Sequence, residues 1–269
     1  MTENEMIPVL AGVLGLVLGS FLNVCSLRWP RYESVVSPPS RCPSCGRRIR
    51  WHENVPVLGW LLLRGRCRGC GESISVQYPL VELATGLIWA GMAWQHGPGW
   101  EGLRGALFLT LLLGIAVSDA RFYIIPDQFS VGGAALGLLL SFAPGGLEPA
   151  QSALGALVWV VGLWLVGRAG TLYIRLTRPE RFEEMGVDSA LGFGDVKMMG
   201  LVGAFTGVWG GALTVFLGSV VAVVVFGVIR RLTDKLIPFG IFLAVGAAVA
   251  YVRGEAILAW YLARVLGSG

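Results

Sequence analysis

The sequence predicts an all-α, polytopic membrane protein of about eight transmembrane helices, with a small cytoplasmic module between the first two. Three observations predict it. Of the 269 residues, 55% are hydrophobic and 14% are charged, whereas a soluble domain carries about 25% charged residues. Long apolar runs recur along the chain, and four cysteines are grouped in the one polar segment that is large enough to form a soluble module.

The apolar runs are compared with the roughly 20 residues that a helix needs to cross about 30 Å of hydrocarbon. Eight runs are predicted to span the membrane: 7–27, 79–96, 103–119, 129–143, 152–172, 196–208, 211–229 and 237–252. The first run lacks a basic region before it and a cleavage site after it, so it is predicted to be a retained helix. The last stretch, 255–266, is predicted to be either a ninth short span or an amphipathic helix on the membrane surface.

Basic residues predict the orientation. The segment between the first two runs holds nine arginines, while the first six residues hold no lysine or arginine. By the positive-inside rule that segment is cytoplasmic and the N-terminus lies outside. The basic residues that then fall on the cytoplasmic side are Arg121, Arg175, Arg178, Arg181, Arg230, Arg231 and Lys235. The net charge of +4 is therefore explained by the basic residues on the cytoplasmic side of the membrane, and it does not predict nucleic-acid binding.

The cytoplasmic segment 28–78 is predicted to be a zinc-ribbon-like module. It contains Cys42-x2-Cys45 and Cys67-x2-Cys70, separated by 21 residues. Four cysteines at this spacing suit tetrahedral Zn²⁺, which can supply the folding energy of a module too small for its own core. Two disulfides or four free thiols are the alternatives, and the cytoplasmic placement disfavours disulfides. A closed four-thiolate site has no open coordination position, so the predicted zinc is structural.

The stretch 51–61, between the two cysteine pairs, is apolar and aromatic for a cytoplasmic segment. It is predicted to contact the membrane face, with ligand binding as the alternative. His52 lies within it and is expected at the surface or against substrate, because four cysteines already complete a zinc ligand set. Replacement of one cysteine ligand by His52 is the alternative.

Two further acids lie at predicted membrane edges. Glu82 is about one turn inside the second run, where an unpaired carboxylate is costly. We expect it either to be paired structurally, for example with a loop arginine, or to belong to a site. Asp127 follows a proline and opens the fourth run, so its simplest predicted role is an N-cap.

Asp119 and Asp195 are predicted to form an acid pair. Asp119 ends the third run going inward and Asp195 begins the sixth going outward, so both lie near the cytoplasmic face. Gly192 and Gly194 precede Asp195 and allow a backbone or a substrate to come close. If the two helices are neighbours, the carboxylates can share one proton, so that one acid polarises a carbonyl while the other activates water. An N-cap is the alternative role of Asp195.

With these motifs in order, the sequence resembles the prepilin peptidases, or type IV leader peptidases, of the GxGD class of intramembrane aspartyl proteases. The resemblance covers nearly the whole chain. It rests on Gly19-Ser20-Phe21-Leu22-Asn23-Val24, the paired Cys-x2-Cys motifs with Asn54-Val55-Pro56-Val57-Leu58-Gly59-Trp60 and Arg64-Gly65-Arg66-Cys67, and Tyr78-Pro79-Leu80-Val81-Glu82. It continues with Asp119 upstream of Ile125-Pro126-Asp127, Gly192-Phe193-Gly194-Asp195-Val196-Lys197 and Ile237-Pro238-Phe239-Gly240. It departs from the family pattern at Ile241, where we expect a second proline.

The resemblance implies a multi-pass enzyme of the bacterial inner membrane that removes the basic leader from type IV prepilins or type II secretion pseudopilins. It implies Asp119 and Asp195 as the catalytic pair, with Gly192, Gly194 and Lys197 shaping the site. It also implies N-methylation of the new N-terminus from S-adenosylmethionine, an activity associated with the cysteine-bearing segment. The expected partners are these substrates and membrane lipid. Lys197 is expected to snorkel toward lipid phosphate or the leader.

The expected organisation is a first transmembrane helix (1–27), the tetracysteine module (28–78) and a membrane-embedded peptidase domain (79–269). One alternative is a GxGD protease of other membrane substrates without methyl transfer, against which the zinc motif argues. The other is a proton- or cation-coupled transporter. Broken helices in two symmetric halves would favour a transporter, and the sequence shows no such repeat.

Overall fold

A computed structural model describes residues 3–177, 180, 188–229, 238–265 and 267. Within them lie eight α-helices: α1 (Glu3–Arg28), α2 (Leu58–Leu62), α3 (Gln77–His96), α4 (Trp100–Phe122), α5 (Asp127–Leu140), α6 (Pro149–Thr177), α7 (Phe193–Ile229) and α8 (Phe239–Val265). The described part contains no strand longer than an isolated bridge. Six residues used in the predictions above lie outside the described ranges: Arg178, Arg181, Arg230, Arg231, Lys235 and Ile237.

The all-α membrane class is confirmed. Five of the described helices, α1, α4, α6, α7 and α8, are long and apolar enough to cross a membrane. The count of eight spans is not confirmed and stays a prediction. The prediction of a separate segment at 255–266 is wrong, because α8 continues without interruption to Val265. Arg253 and Glu255 lower the hydropathy there, but both side chains are exposed and do not interrupt the helix.

The predicted sixth and seventh runs both lie in α7, which is broken at Gly207. This glycine has φ 69° and ψ −167°, a conformation outside the helical region that favours glycine. Side chains from α6 bind carbonyl oxygens beside the break: Ser152 Oγ donates to Ala204 at 2.7 Å and Trp159 Nε1 to Val208 at 3.0 Å. A broken helix in an apolar setting needs such donors and acceptors from its neighbours.

The chain forms two compact units, residues 1–118 and 119–269. In the first unit α1 packs closely on α3: a Cβ added to Gly19 would lie 2.7 Å from the Cα of Glu82. The Asn23 amide also donates to the Tyr78 carbonyl at 3.1 Å. Small residues that bring two helix backbones together are typical of membrane helix pairs.

In the second unit α7 is the central helix and packs against α5, α6 and α8. Its first half is fully buried at Met198, Met199 and Leu201. These buried residues begin one turn after Asp195, the third residue of α7, and anchor the turn that carries it.

Candidate active site and metal centre

Asp119 lies near the end of α4 and is buried, with 5% of its surface exposed. The backbone amides of Gly240 and Ile241, at the start of α8, point at its carboxylate. Its Oδ2 is buried without a hydrogen-bond partner among the described residues. A Cβ on Gly240 would lie 2.6 Å from this oxygen, so glycine leaves the space that the carboxylate occupies. The acid therefore has an acceptor that is free to hold a proton or a water molecule.

Asp195 is the third residue of α7, which begins at Phe193. Its backbone amide donates to the Gly192 carbonyl at 3.1 Å, so it lies inside the first turn and the alternative role as N-cap is wrong. The negative charge of Asp119 acts on the Asp195 carboxyl, which places the two acids near each other within the second unit. Two carboxylates that approach within a few ångströms, one near the end of a helix and one near a helix start, can share a single proton.

Three glycines leave room around the acids. A Cβ on Gly192 would lie 3.0 Å from Asp195 Oδ2, and a Cβ on Gly194 would lie 3.2 Å from the Cβ of Ile125. Gly240 lies against the other end of the same isoleucine, because a Cβ added to Gly240 would lie 3.0 Å from Ile125 Cδ1. Buried Ile125 therefore separates Gly194 from Gly240. The sequence interpretation named the first two glycines as site residues but missed Ile125 and Gly240, although both belong to Ile-Pro motifs that it had recognised.

Lys197 and Asp127 form an ion pair between the starts of α7 and α5. The prediction that Lys197 snorkels to lipid or to the leader is wrong, because its ammonium binds this carboxylate and lies 5.3 Å from the centre of the Phe193 ring. The prediction that Asp127 is an N-cap is also wrong: Pro126 occupies that position and no side chain caps the helix. The pair links α5 to the turn of α7 that carries Asp195.

Glu82 is paired, but not with an arginine. Its buried Oε2 accepts a hydrogen bond from the Val57 amide at 2.7 Å, and the Ser20 hydroxyl is a further partner. Val57 has φ 62° and ψ −52°, a conformation that is strained for a β-branched residue. The carboxylate thus fixes the start of α2 against α3.

The four predicted cysteine ligands come together. Their Sγ atoms all lie within 4.8 Å of one another. The Cys42–Cys70 and Cys45–Cys67 pairs are 3.8 and 4.0 Å apart. A tetrahedral zinc with Zn–S bonds of about 2.3 Å needs S···S separations of about 3.8 Å, so the set fits zinc. A disulfide would require about 2.05 Å, and all four cysteines are free.

The two cysteine pairs lie on matching turns. The amide of Gly46 donates to the Cys42 carbonyl at 2.9 Å, and the amide of Gly71 donates to the Cys67 carbonyl at 2.9 Å. Both glycines have positive φ, 69° and 74°, which explains why a glycine follows each pair.

The surroundings of the thiols favour a bound cation. Backbone amides of Cys70 and Gly69 lower the pKa of Cys67 to about 6. The Glu72 backbone lowers the pKa of Cys70, but burial and the neighbouring Cys45 and Cys67 thiols oppose it and raise that pKa to about 12. Four thiols grouped this tightly cannot all ionise without a positive charge between them, and zinc would replace their protons.

Glu53 is a buried residue of this module that the sequence interpretation missed. Its carboxylate accepts hydrogen bonds from Arg47 Nη2 at 2.8 Å and from the Arg50 amide at 3.0 Å. The Arg47 guanidinium holds the pKa of Glu53 below its usual range. His52 beside it is exposed, as expected, and meets the Trp51 ring edge-on. Glu53 therefore ties the segment between the cysteine pairs to the first cysteine turn.

Two family models match the chain. The Bacterial Peptidase A24 N-terminal domain matches residues 13–96, and the Type IV leader peptidase family matches residues 106–228. The tetracysteine module lies within the first match. Asp119 and Asp195 lie within the second.

Curated relatives named prepilin leader peptidase/N-methyltransferase are similar over most of the chain. The protein of Stutzerimonas stutzeri is 36% identical over 97% of this chain and 96% of its own length. That of Xanthomonas campestris pv. campestris is 33% identical over 95% and 94%. That of Myxococcus xanthus is 37% identical over 85% of this chain, which covers 64% of that relative's length. No solved structure matches the chain significantly.

Proposed function

Because the chain belongs to the type IV leader peptidase family, we propose that it removes the leader from type IV prepilins or type II secretion pseudopilins, with Asp119 and Asp195 as the catalytic pair. The observation that carries the proposal is that both acids lie in one unit with Asp195 within range of the Asp119 charge, and that a buried Asp119 oxygen has no hydrogen-bond partner among the described residues. A cut beside the substrate's apolar helix needs acids of this kind at the membrane edge.

In the proposed reaction the two carboxyl groups share one proton. The ionised carboxylate takes a proton from water, whose oxygen attacks the carbonyl carbon of the scissile peptide bond. The protonated acid gives its proton to the carbonyl oxygen, and a tetrahedral intermediate forms. When the carbon–nitrogen bond breaks, the leaving nitrogen receives the proton that the first acid took from water, and the second acid takes back a proton from one hydroxyl of the intermediate, whose oxygen becomes the new carbonyl oxygen. Atoms and charge balance, and the pair returns to its starting state.

The surrounding residues would hold this geometry. Gly192 and Gly240 have no side chain that would crowd the two carboxylates, and Gly194 has none that would crowd Ile125. The Lys197–Asp127 pair would fix the first turn of α7. These residues would position the acids without touching the reacting atoms.

We further propose that the chain methylates the α-amino group that cleavage exposes. The support is the N-methyltransferase part of the relatives' names. S-adenosylmethionine would supply the methyl group, and a structural zinc on the four cysteines would hold the module together. The proposed organisation is a first helix (1–27), this module (28–78) and the peptidase domain (79–269). The proposed setting is the bacterial cytoplasmic membrane, with the N-terminus outside and the module and acids at the cytoplasmic face.

The test uses the purified full chain in lipid vesicles, with a prepilin-like substrate and S-adenosylmethionine, and reads the products by mass spectrometry. Removal of the leader and gain of one methyl group are expected. Asp119→Asn and Asp195→Asn should each lower cleavage by roughly 10²–10⁴-fold. Asp188→Asn, at an exposed acid in the same unit, should cleave normally. Cleavage at the normal rate by either of the first two variants would refute the catalytic pair, and cleavage without methylation would refute the transferase.

A further inference from the structure

A cavity of about 400 Å³ lies beside α2 in the tetracysteine module, and the proposed chemistry does not use it. Arginines line it at Arg64, Arg66 and Arg68. Arg68 lies 3.8 Å from a Glu53 oxygen, which already binds Arg47 at 2.8 Å. Arg64 and Arg66 make no ion pair with any residue in the described part of the chain. The lining also includes the Glu53 carboxylate and the predicted zinc ligand Cys67, but its three arginines outnumber these two groups, so the cavity suits an anion.

The outer face of α2 is apolar and uncovered. Leu58, Leu61 and Leu62 are exposed to 57%, 55% and 81%. The inner face, by contrast, is held in the module: Trp60 Nε1 donates to the Ile74 carbonyl at 3.0 Å, and Gly59 is buried. Three exposed leucines on one turn, next to arginines, are typical of a segment lying in the interfacial region of a bilayer.

The position of α2 supports a bilayer as the occupant of this face. The Val57–Glu82 hydrogen bond fixes the start of α2 beside α3. On α3, Leu80 and Leu83 flank Glu82 and are themselves exposed. Exposed leucines therefore lie both on α2 and on the first turns of α3, a helix predicted to lie in the membrane.

We propose that α2 and the cavity form a docking site for an anionic phospholipid. The lipid phosphate lies between Arg64 and Arg66, and its acyl chains lie against Leu58, Leu61 and Leu62. Guanidinium groups bind phosphate oxygens through paired hydrogen bonds, and arginines near an anionic membrane surface strengthen its binding. The lipid would fasten the tetracysteine module to the membrane surface. This goes beyond leader cleavage and does not depend on it.

The apolar half of the proposal is tested by photo-crosslinking. In the full chain, p-benzoylphenylalanine replaces Leu62 in one variant and Arg48, an exposed residue on the first cysteine turn, in the control variant. Each variant is placed in vesicles of equal parts phosphatidylcholine and phosphatidylglycerol. Mass spectrometry should find lipid adducts at Leu62 and few at Arg48. Adducts at Leu62 no more frequent than at Arg48 would overturn the proposal.

The charged half is tested by measuring phosphatidylglycerol binding to the detergent-purified chain with native mass spectrometry. The double variant Arg64→Gln/Arg66→Gln should bind roughly thirtyfold more weakly. The control Arg41→Gln/Arg48→Gln removes equal charge outside the cavity and should bind nearly as well as the unaltered chain. Zinc content checks that each variant is folded. An equal loss of lipid affinity in both double variants would overturn the proposal. Displacement of the lipid by glycerol phosphate would also overturn it, because the cavity would then bind soluble phosphate.

Discussion

Gly240→Ala is the most informative substitution at the acid pair. The added Cβ would lie 2.6 Å from Asp119 Oδ2 and 3.0 Å from Ile125 Cδ1. Ordinary contacts begin near 3.4 Å, so the carboxylate oxygen must move by about 0.8 Å. Both neighbours are the ends of side chains that can rotate. The strain therefore displaces the acid and leaves the helix intact.

The expected effect is large on catalysis and small on folding. A misplacement of about 1 Å in a catalytic group can cost about 100-fold in rate. We expect kcat for leader cleavage to fall by about that factor, with a smaller change in KM, because this oxygen takes part in proton transfer in the proposal. Alanine is also the better helix former by about 0.5–1 kcal/mol, which offsets part of the steric cost to stability.

The assay is steady-state cleavage of a prepilin-like substrate, with thermal unfolding measured on the same samples. Gly192→Ala and Gly194→Ala, whose added Cβ atoms would lie 3.0 and 3.2 Å from their nearest neighbours, should cost progressively less. Gly162→Ala is the control, because its Cβ would meet nothing within 4 Å. Cleavage by Gly240→Ala at the unaltered rate, or an equal loss in the control, would refute this reasoning.

The remaining predictions concern local stability. Lys197→Met should destabilise the protein by no more than about 1 kcal/mol, because the ion pair with Asp127 is partly exposed to solvent. A double-mutant cycle with Asp127→Asn measures the coupling energy of the pair, and a coupling of several kcal/mol would contradict the expectation. Val57→Gly should raise the free energy of unfolding by about 1 kcal/mol, because glycine adopts φ 62° and ψ −52° with less strain than a β-branched residue. A lower melting temperature would argue against the strain. Chelation should expose residues 28–78 to hydrogen exchange, and finding less than one zinc per untreated chain would defeat the metal assignment.

The sequence could predict which side chains matter near the membrane but not what they bind. The cost of charge near lipid singled out Glu82 and Lys197 from their local surroundings. Their partners lie 25 and 70 residues away along the chain, at Val57 and Asp127. Those contacts depend on how α2 meets α3 and how α5 meets α7, which periodicity does not encode.

Helix boundaries show the same limit. Hydropathy separated two runs at 209–210, but the backbone break is at Gly207, one of several glycines in that segment. Which glycine adopts positive φ depends on the α6 side chains that stabilise the break. The cysteine cluster, by contrast, was predicted in full, because spacing and the glycine after each pair are local features.

The central claim is that Asp119 and Asp195 act as one unit, and the most direct test is kcat/KM for leader cleavage by Asp119→Asn, Asp195→Asn and the double variant. If the acids share one proton and one reaction, each single variant should lose nearly all activity and the double should be no worse than either. Losses that multiply in the double variant, or substantial cleavage by one single variant, would contradict the claim.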